Sequence, residues 1–187
     1  RLARTIDHPY SLAVALAYSG ITHHLRTDPA ALDAAVAELT DLCIRYGFAY
    51  YSEWALILGG WSRGGEAGLV QMRRGIDTLR SAGSFARMPY WLSLLADLSV
   101  REGEPGAARA ALDAAIVAGQ ARDDLWWLPE VMRMRAAHDD HVAAIVRLRA
   151  AARTAAAHGS VALLRRCARD LAEHGVDLPL PGVPPAR

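Results

Sequence analysis

The stretch "DPAALDAAVAELTDLCIRY", residues 28–46, decides how this chain is read. Leu32, Ala35, Val36, Leu39, Leu42, Cys43 and Tyr46 recur at intervals of three and four. That interval gathers them on one face of a helix with 3.6 residues per turn. Asp28 offers a side-chain oxygen to the free amides at the start. Pro29, which has no N–H to leave unsatisfied, suits the first helical position. Gly47 accepts the left-handed backbone that ends a helix.

Outward from this helix the same grammar returns. "GEPGAARAALDAAIVAG" starts near Pro105 and stops near Gly119, and "GSVALLRRCARDLAEHG" starts with Ser160 as a cap and stops at Gly175. No alternating strand run interrupts the pattern. The period predicts helices over 9–26 and 29–46, 48–63 and 66–82, 86–102 and 105–119, 124–138 and 140–158. A single helix, 160–174, closes the series. The Pro-rich tail, residues 176–187, is expected to fray.

The chain also repeats itself. "GGEAGLVQMRRGIDTL" at Gly64 aligns with "EGEPGAARAALDAAIV" at Glu102, and Ala107 then aligns with Ala143. Each unit is a helix, a Gly-containing turn and a second helix, the sequence signature of an α-solenoid. The fold expected is therefore all-α: about four helix hairpins plus a capping helix, forming one repeat domain over residues 1–187.

Composition bounds the function. With 187 residues, 52% apolar and 22% charged, the chain can bury a core without disulfides or metal. No apolar run reaches the length of a membrane span, and no secretory signal pattern is present, so a cytoplasmic location is expected. The first residue is arginine rather than methionine, which suggests a piece of a longer protein. All 21 basic residues are arginine. Without lysine, neither a P-loop nor a Schiff base can form within this segment. No G-x-S-x-G or H-E-x-x-H motif occurs, and the scattered carboxylates sit on helix surfaces, so no catalytic residue and no cofactor is expected. Cys43 and Cys167 lie on apolar stripes and read as two buried free thiols.

Four features are candidates for sites. Tyr51, Trp54, Leu58 and Trp61 are spaced three, four and three apart and share one helical face. They read either as the aromatic wall of a partner groove or as core packing between neighbouring units. In "ARDDLWWLPEVMRMRAA", residues 121–137, Trp127 aligns with Trp91 as a packing brace, while Trp126 lies toward the inner surface, where a partner could touch it. Met132 and Met134 read as interhelix filler, and Glu130 and Arg133 as a surface pair three residues apart. Between 133 and 169, eight arginines face two acids, a local +6. The patch contains Arg147, Arg149, Arg153, Arg165, Arg166 and Arg169. It suits a solvated face or an intramolecular dock, and no recognition-helix motif favours nucleic acid. Finally, "HDDH", residues 138–141, reads as a turn capped by Asp139 or Asp140 rather than a zinc site, because no third ligand group is apparent.

Trp91, Leu94, Leu95 and Leu98, followed by Ala107, Ala111 and Ala114, resemble the large and small packing positions of tetratricopeptide repeats. A longer succession resembles the C-terminal helical region of large bacterial signalling ATPases. It runs "HPYSLAVALAYSGITHHLRTDPAAL", "GWSRGGEAGLVQMRRGIDTLRSAG", "PYWLSLLADLSVREGEPGAARAALDAA", "WWLPEVMRMRAA" and "AAHGSVALLRRCARDLAEHG". In that family an NTPase core precedes a tetratricopeptide-like array. A class III adenylate/guanylate cyclase domain lies at the N-terminus, or a LuxR-type helix-turn-helix at one end. The resemblance implies a right-handed superhelix and a non-catalytic sensor or protein-interaction role. The implied partners are the other domains of the parent protein, with an effector of unknown identity. A scaffold for self-association or interdomain docking, without a small ligand, is the alternative.

Overall fold

In the computed structural model the described residues are 2–5 and 8–179, and among them the regular structure is entirely helical. Ten helices follow one another: α1 (Leu2–Thr5), α2 (Pro9–Leu25), α3 (Pro29–Tyr46), α4 (Ala49–Arg63), α5 (Gly65–Ser81), α6 (Met88–Arg101), α7 (Pro105–Arg122), α8 (Leu128–Ala136), α9 (His141–Ala157) and α10 (Val161–Glu173). They fall into two compact units, Arg1–Phe85 and Ala86–Arg187.

In the first unit α2 packs on α3 and α4 on α5, with α3 and α2 both meeting α4. Asp28 Oδ1 accepts from the Ala31 amide at 3.1 Å, and Gly47 closes α3 with φ 72°. His8 caps α2, its Nδ1 accepting from the Ser11 amide at 3.2 Å. The core holds Leu32, Leu39, Trp54, Ile57, Leu58 and Ile76. Glycine lets α4 and α5 approach closely. A Cβ on Gly60 would stand 2.7 Å from the Gly68 carbonyl oxygen and 2.8 Å from Met72 Cγ. The Gly59–Gly60 pair therefore serves helix contact, and α4 continues to Arg63.

In the second unit α6 packs on α7, α8 on α9, and α9 on α10, while α8 also touches α6, α7 and α10. Alanines carry much of its interior: Ala108, Ala115, Ala144, Ala151 and Ala155 are each at most 1% exposed. Small side chains let helix backbones come close, and Tyr90, Trp91 and Leu98 fill the remaining space. Asp140 caps α9 by accepting from the Ala143 amide at 2.9 Å.

Four details differ from the periodic reading. The four-residue helix α1 was missed, being too short to show a period. α7 runs on through Gly119 to Arg122. Gly119 sits inside the helix because a Cβ there would stand 3.2 Å from the Asp124 carbonyl and 3.3 Å from Pro89. α8 starts at Leu128 rather than 124. Asp123 takes a left-handed backbone, and the Asp124 carboxylate instead accepts from the Arg87 amide at 2.8 Å. Ser160 precedes α10, but its hydroxyl makes no capping bond. Of the Pro-rich tail, Val176 and Leu178 pack against the α8–α10 core. The remainder of the segment expected to fray, residues 180–187, lies outside the described residues.

Candidate functional site

Aromatic side chains in the first unit form a continuous ladder. α2 supplies Tyr10 and Tyr18, the end of α3 supplies Tyr46, the α3–α4 connection supplies Phe48, and α4 supplies Tyr50, Tyr51 and Trp54. Tyr46 stacks on Phe48 at 5.7 Å, and Phe48 meets Tyr10 edge-on at 5.5 Å. Tyr10 meets Tyr51 at 5.8 Å, Tyr51 meets Trp54 at 5.5 Å, and Trp54 meets Tyr18 at 5.5 Å. These centroid spacings are those of attractive aromatic pairs. Burial, with the Tyr10 hydroxyl beside it, pushes the Tyr51 phenol up to about 12, so it stays protonated near neutral pH. The outer rungs face solvent: Tyr10 is 50% exposed, Tyr46 48% and Tyr18 42%. Rigid rings with a polar hydroxyl edge are the side chains protein-recognition surfaces favour.

The residues expected to wall a groove are divided by this arrangement. Tyr51, Trp54 and Leu58 are buried, because α2 lies over that face of α4. Leu58 fills the space left by Gly20 on α2, where a Cβ would stand 2.9 Å from its Cδ1. These three are core packing, and the groove-wall reading of them is corrected. Trp61 is half-buried, with His24 edge-on against it at 4.5 Å. The exposed part of the ladder comes from Tyr10, Tyr18 and Tyr46. Sequence spacing singled out neither Tyr10 nor Tyr18, because the approach of α2 to α4 is a tertiary event, and it put Tyr46 on the apolar face of α3, where the structure leaves it 48% exposed.

In the second unit Trp127 is buried, and its indole N–H donates to Ser93 Oγ at 2.9 Å. Trp126 leans on Trp127 and Tyr90 at 5.1 and 5.7 Å and remains 41% exposed. Met132 and Met134 are half-buried on α8.

Glu130 and Arg133 are no surface pair. Glu130 is 3% exposed and accepts from Arg133 Nε and Nη2 at 2.9 and 2.8 Å. Arg133 also donates to Asp170 at 2.5 Å, and Arg166 approaches Glu130 at 2.8 Å. A buried carboxylate holding two guanidiniums ties α8 to α10. A second set links Arg135, Asp139, Arg147 and Asp113. Burial acts to raise the Asp139 carboxyl, but hydrogen bonds from Arg147 and Arg135 outweigh it and hold it below its usual range.

Three of the six arginines of the expected basic patch have acidic partners. Arg147 pairs with Asp139, Arg166 with Glu130 and Arg169 with Asp170. Arg149, Arg153 and Arg165 are exposed on α9 and α10, and Arg166 and Arg169 remain exposed beside their partners. The sequence count overlooked that Glu130 and Asp170 flank the patch in space. The histidines also regroup: His141 meets His174 across the end of the α9–α10 pair, Nδ1 to Nδ1 at 3.0 Å. Among the described residues no group of three metal-ligating side chains forms. Nor is any helix among them long and apolar enough to cross a membrane.

No protein-family model matches the chain. It is similar to an uncharacterized protein of Rhizobium meliloti (strain 1021), 28% identical over 180 residues. That similarity covers 91% of this chain and 18% of the relative, so the chain spans less than a fifth of the protein it matches.

Proposed function

We propose that this chain is a non-catalytic helical-repeat module, a tetratricopeptide-like α-solenoid of four hairpins with α10 as its capping helix. In this reading it is the sensor and protein-interaction part of a larger bacterial signalling ATPase, linked to a cyclase or a transcriptional regulator and working in the cytoplasm. The observation that carries the reading is the aromatic ladder, with Tyr10, Tyr18 and Tyr46 presented to solvent over a buried floor of Tyr51 and Trp54. Exposed rings anchored on buried ones lose little conformational freedom on binding, which favours a docking role. The much greater length of the Rhizobium meliloti relative supports a setting in which further domains are the partners. Occupancy of the ladder would bias those domains through its different affinity for their two states.

The test is made in the full-length protein. Replacing Tyr10 and Tyr18 with serine removes exposed rings and leaves the buried floor in place. The expected result is altered nucleotide turnover or output signalling with an unchanged circular dichroism spectrum. Output identical to wild type would overturn the reading. Concentration-dependent oligomers abolished by the same pair of changes would instead favour the scaffold alternative.

A further inference from the structure

The opposite face of α4 from the ladder borders a second feature. α3 and α5 flank α4, and between them runs a cleft of about 590 Å³, within the range of small-molecule sites. Successive helix residues turn by about 100°. Ser52, Leu56, Gly59 and Arg63 therefore share a face roughly opposite Tyr50, Trp54 and Trp61.

The cleft is ordered along its length. Its middle is apolar: Val36 and Ala37 from α3, Ala55 and Leu56 from α4. Gly59 lets Val36 and Gln71 close against α4 beneath the cleft, since a Cβ there would stand 3.1 Å from Val36 and 3.3 Å from Gln71. Gln71 is already engaged, donating to the Leu56 carbonyl at 3.0 Å. One end is charged. Asp33 lies there with Oδ1 accepting from the Ser62 hydroxyl at 2.5 Å, which leaves Oδ2 open. Arg63, next along α4, borders the same end. Asp33 and Arg63 form no ion pair with each other, and both are exposed. The other end carries hydroxyls, those of Ser52 and Thr40, the latter donating to the Val36 carbonyl at 2.8 Å.

We propose that this cleft binds a free α-amino acid with a long, largely apolar side chain. The ammonium group meets the open oxygen of Asp33 and the carboxylate meets the Arg63 guanidinium, the arginine geometry suited to carboxylate. The side chain lies along Val36, Ala37 and Leu56 toward the hydroxyl end. From Ser52 to Ser62 the α4 face runs about 15 Å, enough for a side chain of phenylalanine's or tyrosine's reach. The opposed charges at one end select a zwitterion over a simple acid or amine. The proposal goes beyond the docking role of the ladder and does not depend on it, since it uses other residues on another face.

Isothermal titration calorimetry of the whole chain tests it with three probes: L-phenylalanine, phenethylamine and 3-phenylpropanoate. The second lacks the carboxylate and the third lacks the ammonium. Phenylalanine is expected to bind saturably, and each truncated probe at least about tenfold more weakly, because each forfeits one charge-assisted contact. Asp33→Asn and Arg63→Gln are expected to weaken phenylalanine binding by a similar factor. Both side chains are exposed, so the fold is retained, and circular dichroism checks this. Amide shifts on addition of phenylalanine are expected at Val36, Leu56 and Gly59. No heat and no shifts at millimolar phenylalanine would overturn the proposal. So would equal affinity for the three probes, or binding unchanged in both variants. Disturbance of the ladder would leave these readouts intact, so failure of one reading is distinguishable from failure of the other.

Discussion

The two compact units solve the same packing problem with different chemistry. In the first, rings and glycines do the work: the ladder from Tyr46 to Tyr18, and α4 against α5 at Gly60 and Gly68. In the second, alanines bring helices together, and the joint of α8 with α9 and α10 is polar, built on Glu130, Asp139 and Asp170. Ring contacts are insensitive to pH and little affected by salt. A buried carboxylate network holds only while its members stay ionised. The comparison teaches that similar helix hairpins can respond to quite different conditions.

The sharpest way to probe the first unit is Trp54→Ala. Removing a ring that is 1% exposed is expected to cost about 3–5 kcal/mol. Hydrogen exchange should lose protection first in α2 and α4, and an unchanged denaturation midpoint would break the picture of a ring-built core. For the second unit the corresponding change is Glu130→Ala. It strips two guanidiniums of a buried partner. Arg133 keeps Asp170 and Arg166 is partly solvated, so the expected loss is about 2–3 kcal/mol. Urea denaturation at neutral pH measures it, and a loss within experimental error would show the network to be decorative.

Gly60→Ala comes next. The added methyl meets the Gly68 carbonyl, which cannot swing aside as a side chain can. Overpacking outweighs the gain in helix propensity, for a net loss of about 1–2 kcal/mol. Acid gives a contrast between the units. The Asp139 carboxyl is held below its unfolded range, so its contribution is fully present above the unfolded pKa of about 4. It is lost as pH falls through the lower folded value. Exchange protection in α8 and α9 should therefore drop below pH about 4 before that in α2 and α4 does. The smallest effect is expected from Arg149→Ala on the exposed face of α9, within about 0.5 kcal/mol by thermal denaturation.

Helix positions were legible in the sequence because caps and period coincide. Asp28, Pro29 and Gly47 all mark α3, and the structure uses each as a terminus signal. Interior glycines were less readable: at Gly119 the residue type that ends helices instead admits Pro89. The candidate site was legible only in part. Spacing found the buried face of α4 but could not tell a groove wall from a core, since that depends on where α2 lies. Long-range partners such as Tyr10 for Tyr51, Asp170 for Arg133, or His174 for His141 leave no local trace.

The two cysteines stand one in each unit, Cys43 on α3 and Cys167 on α10, both free and buried. Burial pushes the Cys43 thiol up; burial, with Glu130 close by, pushes Cys167 up to about 11. A closed helix thus shields a thiol that is also a poor nucleophile. Modification by a soluble disulfide reagent then tracks how often each helix stands open, or how fast it opens where the reagent outpaces reclosing, and the unmodified protein carries two built-in reporters of local opening. Peptide mapping after timed exposure would read α3 and α10 separately, in one tube, with no engineered label.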